Sequence, residues 1–539
     1  MYYFFSNRFF MAALLLTATF CYATSVTQIT IGRDSLEGSR YLGEGQIMLA
    51  AGRFGMNFLA TLFGYGYAEP PVQPYVDLLA TVLFVLAAIH FCVLMRKICG
   101  ERISRVGYGI FACSLISYPL INEIWEYTGA NVCVAAGYLL AAGAVYILHD
   151  VLYRQELSLK GRIGRLFTAS FFCLVICTSY ESISVVYVFT VFMVLLLQQW
   201  TGERLKFSAL MRQGILYASA LLTGIVMRVV LHQVILDVFS LTKETGGATN
   251  ILWGVYPFWN VVETLVKQCI IYYVMRACFY FPILEFVLAV MLFGLLLVIT
   301  VIRNHRPLML LTGGGLLFTP FLLPLIQGRY APYRTCQVFA MLVAMTAMAI
   351  YESLKRWKKR HWLKRVCAGA MVFLCLYQSA YLSQLLNLDY IRSEEEAFVI
   401  RTIGTDLERQ CDITKPIVVT GSYTLGEELL QPVTVDVAES LIYAWFQHRT
   451  KWEADTTIKF VDSNVNSVLD WALHAFNELG SAGTAMEKLF RYQGFDFHFE
   501  LDLERQAEAE RYAKDQELPG YPQAGYIVEL SDYIIVNLS

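Results

Sequence analysis

The sequence predicts a mostly α-helical protein, a polytopic membrane helix bundle of about 11 spans followed by a small C-terminal extracytoplasmic α/β domain. Three observations predict it. Of 539 residues, 57% are hydrophobic and only 16% are charged, whereas soluble globular domains carry roughly 25% charged residues. With a mean hydropathy of +0.49, the apolar surface exceeds what a water-soluble core of this length can bury. Apolar segments of roughly 20 residues, enough to cross a ~30 Å hydrocarbon core, recur from residue 9 to residue 387. Charge then divides the chain: residues 388–539 hold 27 Asp and Glu against 12 Lys and Arg, leaving 17 against 30 before them. A basic membrane body, residues 1–387, therefore precedes an acidic, water-exposed tail, residues 388–539.

The spans read as 9–26, 76–95, 107–121, 131–149, 166–180, 182–198, 214–236, 283–302, 308–326, 335–353 and 366–387. Basic residues fill every second loop. Arg96, Lys97, Arg102 and Arg105 follow the second span, Arg154 to Arg165 the fourth, Arg204 to Arg212 the sixth, Arg303 and Arg306 the eighth, and Lys355 to Arg365 the tenth. Positively charged loops stay in the cytoplasm, so the N-terminus is expected inside and the tail outside the membrane. Residues 9–26 also fit loosely as a signal peptide, with Ala23-Thr24-Ser25 at its end; cleavage there leaves the remaining topology unchanged.

Two external loops, 27–73 and 236–282, are too long to be mere turns, and long loops on a rigid body tend to carry function. In the first, Ile47, Ala51, Phe54, Phe58 and Leu62 share one helical face and Gln46, Arg53 and Asn57 another, which predicts an amphipathic helix in the interface plane. Gly313-Gly314-Gly315 lies inside an apolar span and reads as helix packing, not as a phosphate loop. In the tail, residues 394–410 predict a helix followed by the strand Ile417-Val418-Val419. Val433, Val435 and Val437 alternate with polar residues, residues 495–503 alternate strictly as a half-buried strand, and 526–538 predict a hairpin. Most of the 13 Cys sit in apolar runs as small hydrophobes; no CxxC pair or Cys/His cluster suggests zinc, and no metal or other cofactor is expected. Basic residues spread over short loops give no nucleic-acid signature.

Chemistry then falls to polar residues of the external loops. Arg33, Asp34, Glu37, Arg40 and Glu44 follow the first span. Glu123, Trp125, Glu126 and Tyr127 form the second external loop, and Tyr180 with Glu181 tops the fifth and sixth spans. Arg329, Tyr330, Tyr333 and Arg334 form the fifth external loop. Lys267 and Arg276 are cations at interfacial depth, placed to meet a lipid phosphate or to snorkel to headgroups. Arg228 and His232, one turn apart in the seventh span, must face the bundle, because a charge on the lipid face costs several kcal/mol. Carboxylates, arginines and aromatics at an outer membrane face fit sugar transfer from a lipid carrier. A carboxylate supplies the general base, Arg stabilises a leaving phosphate, and aromatic rings cover sugar faces.

The chain resembles GT-C membrane glycosyltransferases and, more narrowly, the bacterial type II O-antigen glucosyltransferase (Gtr) family. The residues that carry this are Arg33-Asp34-Ser35-Leu36-Glu37 with Arg40, then Gly52-Arg53-Phe54, Ser179-Tyr180-Glu181, and the tail helix followed by Lys415-Pro416-Ile417-Val418-Val419. The resemblance implies an undecaprenyl-phosphate sugar donor, with glucose as the sugar, and a surface polysaccharide acceptor. It assigns catalysis to Asp34, with Glu37 competing for the role, and donor phosphate contacts to Arg40, Arg53, Arg329 and Arg334, which join Lys267 and Arg276 as the candidate phosphate or lipid contacts. Glu123, Trp125, Glu126, Tyr180 and Glu181 fall to the sugar and acceptor. As pathway partners the resemblance implies a small flippase and a polyprenyl-phosphate sugar synthase. The rival classes are a glycan-lipid flippase or transporter, which usually shows repeats and midplane polar residues, and a polysaccharide polymerase or ligase, which usually has a large late loop.

Overall fold

Each of the eleven apolar segments forms a helix, and small residues decide how closely these helices pack. The structure is a computed structural model; it describes residues 2–32, 47–66, 73–154, 156–202, 205–243, 251–269, 281–328, 333–355, 361–423, 432–436, 457–461, 467–474, 482–500 and 502–538. The body helices are α1 (Arg8–Thr27), α2 (Phe54–Phe63), α3 (Gln73–Cys99), α4 (Arg105–Ser117), α5 (Ala130–Tyr153), α6 (Leu159–Ser179), α7 (Ile183–Thr201), α8 (Phe207–Val238), α9 (Phe258–Cys269), α10 (Phe281–Asn304), α11 (Leu308–Phe318), α12 (Val338–Lys355) and α13 (His361–Gln410). Among the described residues, nine helices are long and apolar enough to cross a membrane, and the chain is a multi-pass membrane protein. The expected third and tenth spans, α4 and α12, fall short of that length. Ser117 ends α4 because Pro119 opens a separate 3-10 turn.

Serine caps set two helix starts on the basic loops: Ser104 accepts from Gly107 N at 3.1 Å and Ser158 from Gly161 N at 3.2 Å. α5 is the central helix, with 78% of its apolar window buried, whereas α8 has 17%. Gly137 of α5 lies where a Cβ would meet Ile183 at 2.7 Å, and Gly224 of α8 where it would meet Cys173 at 2.8 Å; neither close approach survives a side chain. The glycine run of α11 works the same way, since Gly313 faces Leu297 and Gly315 faces Phe192. Phe286 and Phe339 stack at 3.6 Å to join α10 to α12.

The first-loop helix is not continuous. A short helix, Ile47–Ala50, is separated from α2 by Gly52 at φ +73°, a left-handed conformation that favours glycine. The faces also divide as a membrane-facing helix requires: Phe58 and Leu62 are exposed while Met56, Asn57, Leu59 and Ala60 are buried against the bundle.

Contacts divide the chain into two units: residues 1–27 with 39–384, and residues 28–38 with 385–539. In the second unit β1 (Ile417–Thr420) pairs parallel with β5 (Ile534–Asn537), which pairs antiparallel with β4 (Ile527–Glu529) as the expected hairpin. β2 (Pro432–Asp436) and β3 (Thr457–Val461) form a separate antiparallel pair. The remaining helices are α14 (Val468–His474), α15 (Ala482–Tyr492) and α16 (Leu503–Asp515). The strand expected over 495–503 is corrected: among the described residues of that stretch only Phe499 bridges Ile417, and Leu503 opens α16 behind the Asp502 cap. Its alternation survives as burial, with Phe497 and Phe499 inside the core and Asp496 and His498 outside. The helix expected at 394–410 is the end of α13, since no proline interrupts residues 361–410. Arg392, 1% exposed, binds Asp389 and Glu396 at 2.7 Å each and donates to Ile31 O at 2.9 Å.

Candidate functional site at the loop end of the bundle

The two ends of the first unit differ in kind. At one end Asp150 gathers Lys97 at 2.5 Å, Arg165 at 2.7 Å and Arg154 at 3.3 Å, and Lys206, Arg303 and Arg306 lie at helix termini of the same end. The opposite end collects carboxylates, arginines and tyrosines from separate elements. There α6 stops at Ser179 and α7 begins at Ile183, so Tyr180, Glu181 and Ser182 turn over the bundle. Arg228, projecting from α8, donates to Glu181 Oε1 at 2.7 Å. The two side chains are 24% and 18% exposed, a depth at which an ion pair holds its geometry better than at the surface.

One turn further along α8, His232 Nε2 meets Ala50 O at 3.1 Å. Its ring also lies 3.1 Å from where a Cβ on Gly52 would stand. Gly52 is thus required twice, for its positive φ and for the ring above it. The turn points Arg53 at Tyr180, with the guanidinium 5.8 Å from the ring centroid, within cation–π range. Arg53, Tyr180, Glu181, Arg228 and His232 form one polar group.

A second group is joined to it through Gln337. Ser182 donates to Gln337 Oε1 at 2.6 Å, Gln337 donates to Arg334 O at 2.6 Å, and Tyr138 donates to Gln337 O at 2.6 Å. Arg334 lies 3.5 Å from Glu123 and 5.4 Å from the Tyr127 ring centroid, and Glu126 accepts from Asn122 at 3.1 Å. Beyond α11, the short helix Leu322–Gln327 is covered by the segment at residues 252–253: Leu252 N donates to Gln327 O at 2.9 Å and Trp253 Nε1 to Leu325 O at 2.7 Å.

These contacts bring together Arg53, Tyr180 and Glu181, and separately Glu123 and Arg334. Trp125 is placed otherwise than the sequence suggests. It is 1% exposed, stacked at 4.7 Å on Tyr22 and 5.7 Å from Phe84, so its ring serves the core and offers no open face to a sugar. Asp34, Glu37, Arg40, Glu44, Arg276 and Arg329, and the side chain of Lys267, lie outside the described residues. Sequence reasoning missed Asp77, a wholly buried carboxylate that accepts from Asn131 at 2.6 Å. Asn131 also accepts from Gly129 N and Val132 N, closing the start of α5. The signal was present, since Asp77 is the one acid in the apolar run 73–95. Among the described residues no group of three or more His, Cys, Asp or Glu is placed to hold a metal ion.

Comparison with known proteins places the chain. A family model described as glucosyl transferase GtrII matches residues 25–353. The chain belongs to the GtrII glucosyl transferase family. Both polar groups fall inside the matched region, and the protein is a membrane glycosyltransferase by family. Among solved structures the chain is similar to ArnT from Cupriavidus metallidurans bound to undecaprenyl phosphate, with 12% identity, 78% of this chain and 83% of that chain covered, and a TM-score of 0.39. No curated protein matches the chain.

Proposed function

We propose that this GtrII-family protein is a GT-C-like, inverting glycosyltransferase that moves a sugar, glucose by the family's description, from a polyprenyl-phosphate donor to a surface polysaccharide. The reaction takes place at the outer face of the bacterial plasma membrane, with the N-terminus in the cytoplasm and the C-terminal unit outside. The observation that carries this reading is the group at the loop end, where Arg53, Tyr180, Glu181 and Arg228 bring cations, a carboxylate and an aromatic ring to one place.

Asp34 takes the proton of the acceptor hydroxyl, with Glu37 as the alternative base. The acceptor oxygen bonds to the anomeric carbon as the bond from that carbon to the phosphate oxygen breaks, and polyprenyl phosphate leaves with the electron pair. A single displacement inverts the anomeric centre. Arg40, Arg53, Arg329 and Arg334 stabilise the leaving phosphate, and Lys267 and Arg276 hold the lipid at headgroup depth. Glu123, Glu126, Tyr180 and Glu181 orient donor sugar and acceptor, with Arg228 fixing the Glu181 carboxylate.

The test is transfer of labelled glucose from polyprenyl phosphate by purified protein in detergent. Asp34→Asn keeps shape but not basicity, and a general base contributes ~10²–10⁴ in rate; that loss is expected with donor binding retained. If Glu37→Gln is dead and Asp34→Asn is active, the base moves three residues along. Wild-type turnover in both variants overturns the assignment of this loop. Arg53→Met removes charge and keeps much of the stem, and is expected to lose donor binding at unchanged abundance.

A further inference from the structure

At the basic end of the bundle, opposite the site above, a cleft of about 390 Å³ opens between the end of α7 and the starts of α8 and α11. Gln199, Lys206, Phe207, Arg306 and Leu308 line it, and among the described residues no acidic side chain does. Lys206 is exposed at its rim and Arg306 is half-buried at its wall. Arg306 is fixed in place: its Nη1 donates to Gln199 O and, at 3.1 Å, to Gly202 O, the carbonyls that end α7. Nε and Nη2 of the same rigid fork remain as donors, in the arrangement that suits a phosphate.

Proposed ligand chemistry follows from what lies beside the cleft. Phe207 is 56% exposed and Ile215 68% exposed, with Met211 between them. At a spacing of four residues they form one stripe running from the rim about 12 Å along α8. A free phosphate has no use for that stripe. A phospholipid does, since its acyl chains lie along the apolar surface while its headgroup sits among the cations. We propose that this cleft binds the phosphate headgroup of an anionic phospholipid, at the end of the protein remote from sugar transfer.

Native mass spectrometry of the full-length protein in detergent tests this, with dioleoyl phosphatidylglycerol, dioleoyl phosphatidylcholine and inorganic phosphate as probes. Phosphatidylglycerol is expected to bind about tenfold more tightly than phosphatidylcholine, and the Lys206→Gln, Arg306→Gln double variant to abolish most of that preference. Because Arg306 also holds the end of α7, Lys206→Gln alone carries the test should the double variant not fold; it is expected to weaken phosphatidylglycerol severalfold. Lys160→Gln removes an equal charge from the start of α6, away from the cleft, and is expected to change nothing. Equal binding of the two lipids, an equal effect of Lys160→Gln, or unchanged binding in Lys206→Gln overturns the proposal. Displacement of phosphatidylglycerol by millimolar inorganic phosphate also overturns it, because the cleft would then be a site for the free anion.

Discussion

Glu181 and Arg228 are 47 residues apart, and their pairing sets what each can do. Arg228 fixes the direction of the carboxylate, so removing either partner removes the same geometry. A double-mutant cycle of Glu181→Gln and Arg228→Met on kcat/KM should therefore give a coupling of about 0.5–3 kcal/mol; additive losses would mean that the pair does not act as a unit. Gly52 and Gly64 permit a matched comparison, as both have φ +73° but only Gly52 has a neighbour in its Cβ position. Alanine at either should cost about 1 kcal/mol of stability from the backbone. Only Gly52→Ala displaces His232 and the turn that aims Arg53, so only it should lower transfer activity at equal folded concentration. The pairings were not legible in the sequence. Charge placement identified Arg228 and His232 as bundle-facing, but spacing names no partner across 47 residues. Asp77 was overlooked because a single acid resembles a break in an apolar run until its burial is known.

Elements show the same division between what a pattern encodes and what it leaves open. Hydropathy placed a helix at each of the eleven apolar segments and, among the described residues, nine helices have the length and composition that a bilayer crossing needs. Alternation at 495–499 correctly assigned the buried face, yet it says nothing about whether a neighbouring backbone continues beyond one bridge. The change of composition near residue 387 marked the end of an apolar region and not the end of a helix, since α13 continues to Gln410. Packing within α11 can be tested residue by residue. Gly315→Ala pushes on Phe192 and should destabilise, whereas Gly314, with open space around it, should gain about 0.5–1 kcal/mol as Ala from helix propensity; thermal unfolding in detergent separates them. In the second unit the Lys415 ammonium, 2.6 Å from Glu529, holds that carboxyl below its usual value of 4.5. A depressed value stabilises the fold above the ordinary carboxylate range and ceases to do so as pH falls through the lowered one. Amide protection of residues 527–529 should thus decline below about pH 4.5, and Lys415→Gln should flatten that decline.

For the whole molecule, the alternation of basic loops predicts which side the second unit occupies. Protease added to intact spheroplasts should remove residues beyond about 390 and leave the body; survival of the tail until the membrane is permeabilised would reverse the orientation. The second unit also has an unusual composition in time. Ile31, packed in its core and bonded through its carbonyl to Arg392, lies 361 residues before that arginine. At ~5–20 residues per second, the ribosome takes roughly 20–70 s to deliver the partner after Ile31 has emerged. Through that interval the short segment behind α1 must wait on its side of the membrane while every intervening span is inserted. The unit therefore closes late in synthesis, around a strand of chain made among the earliest, and a tail expressed without residues 28–32 starts with a hole in its core that no later folding step can fill.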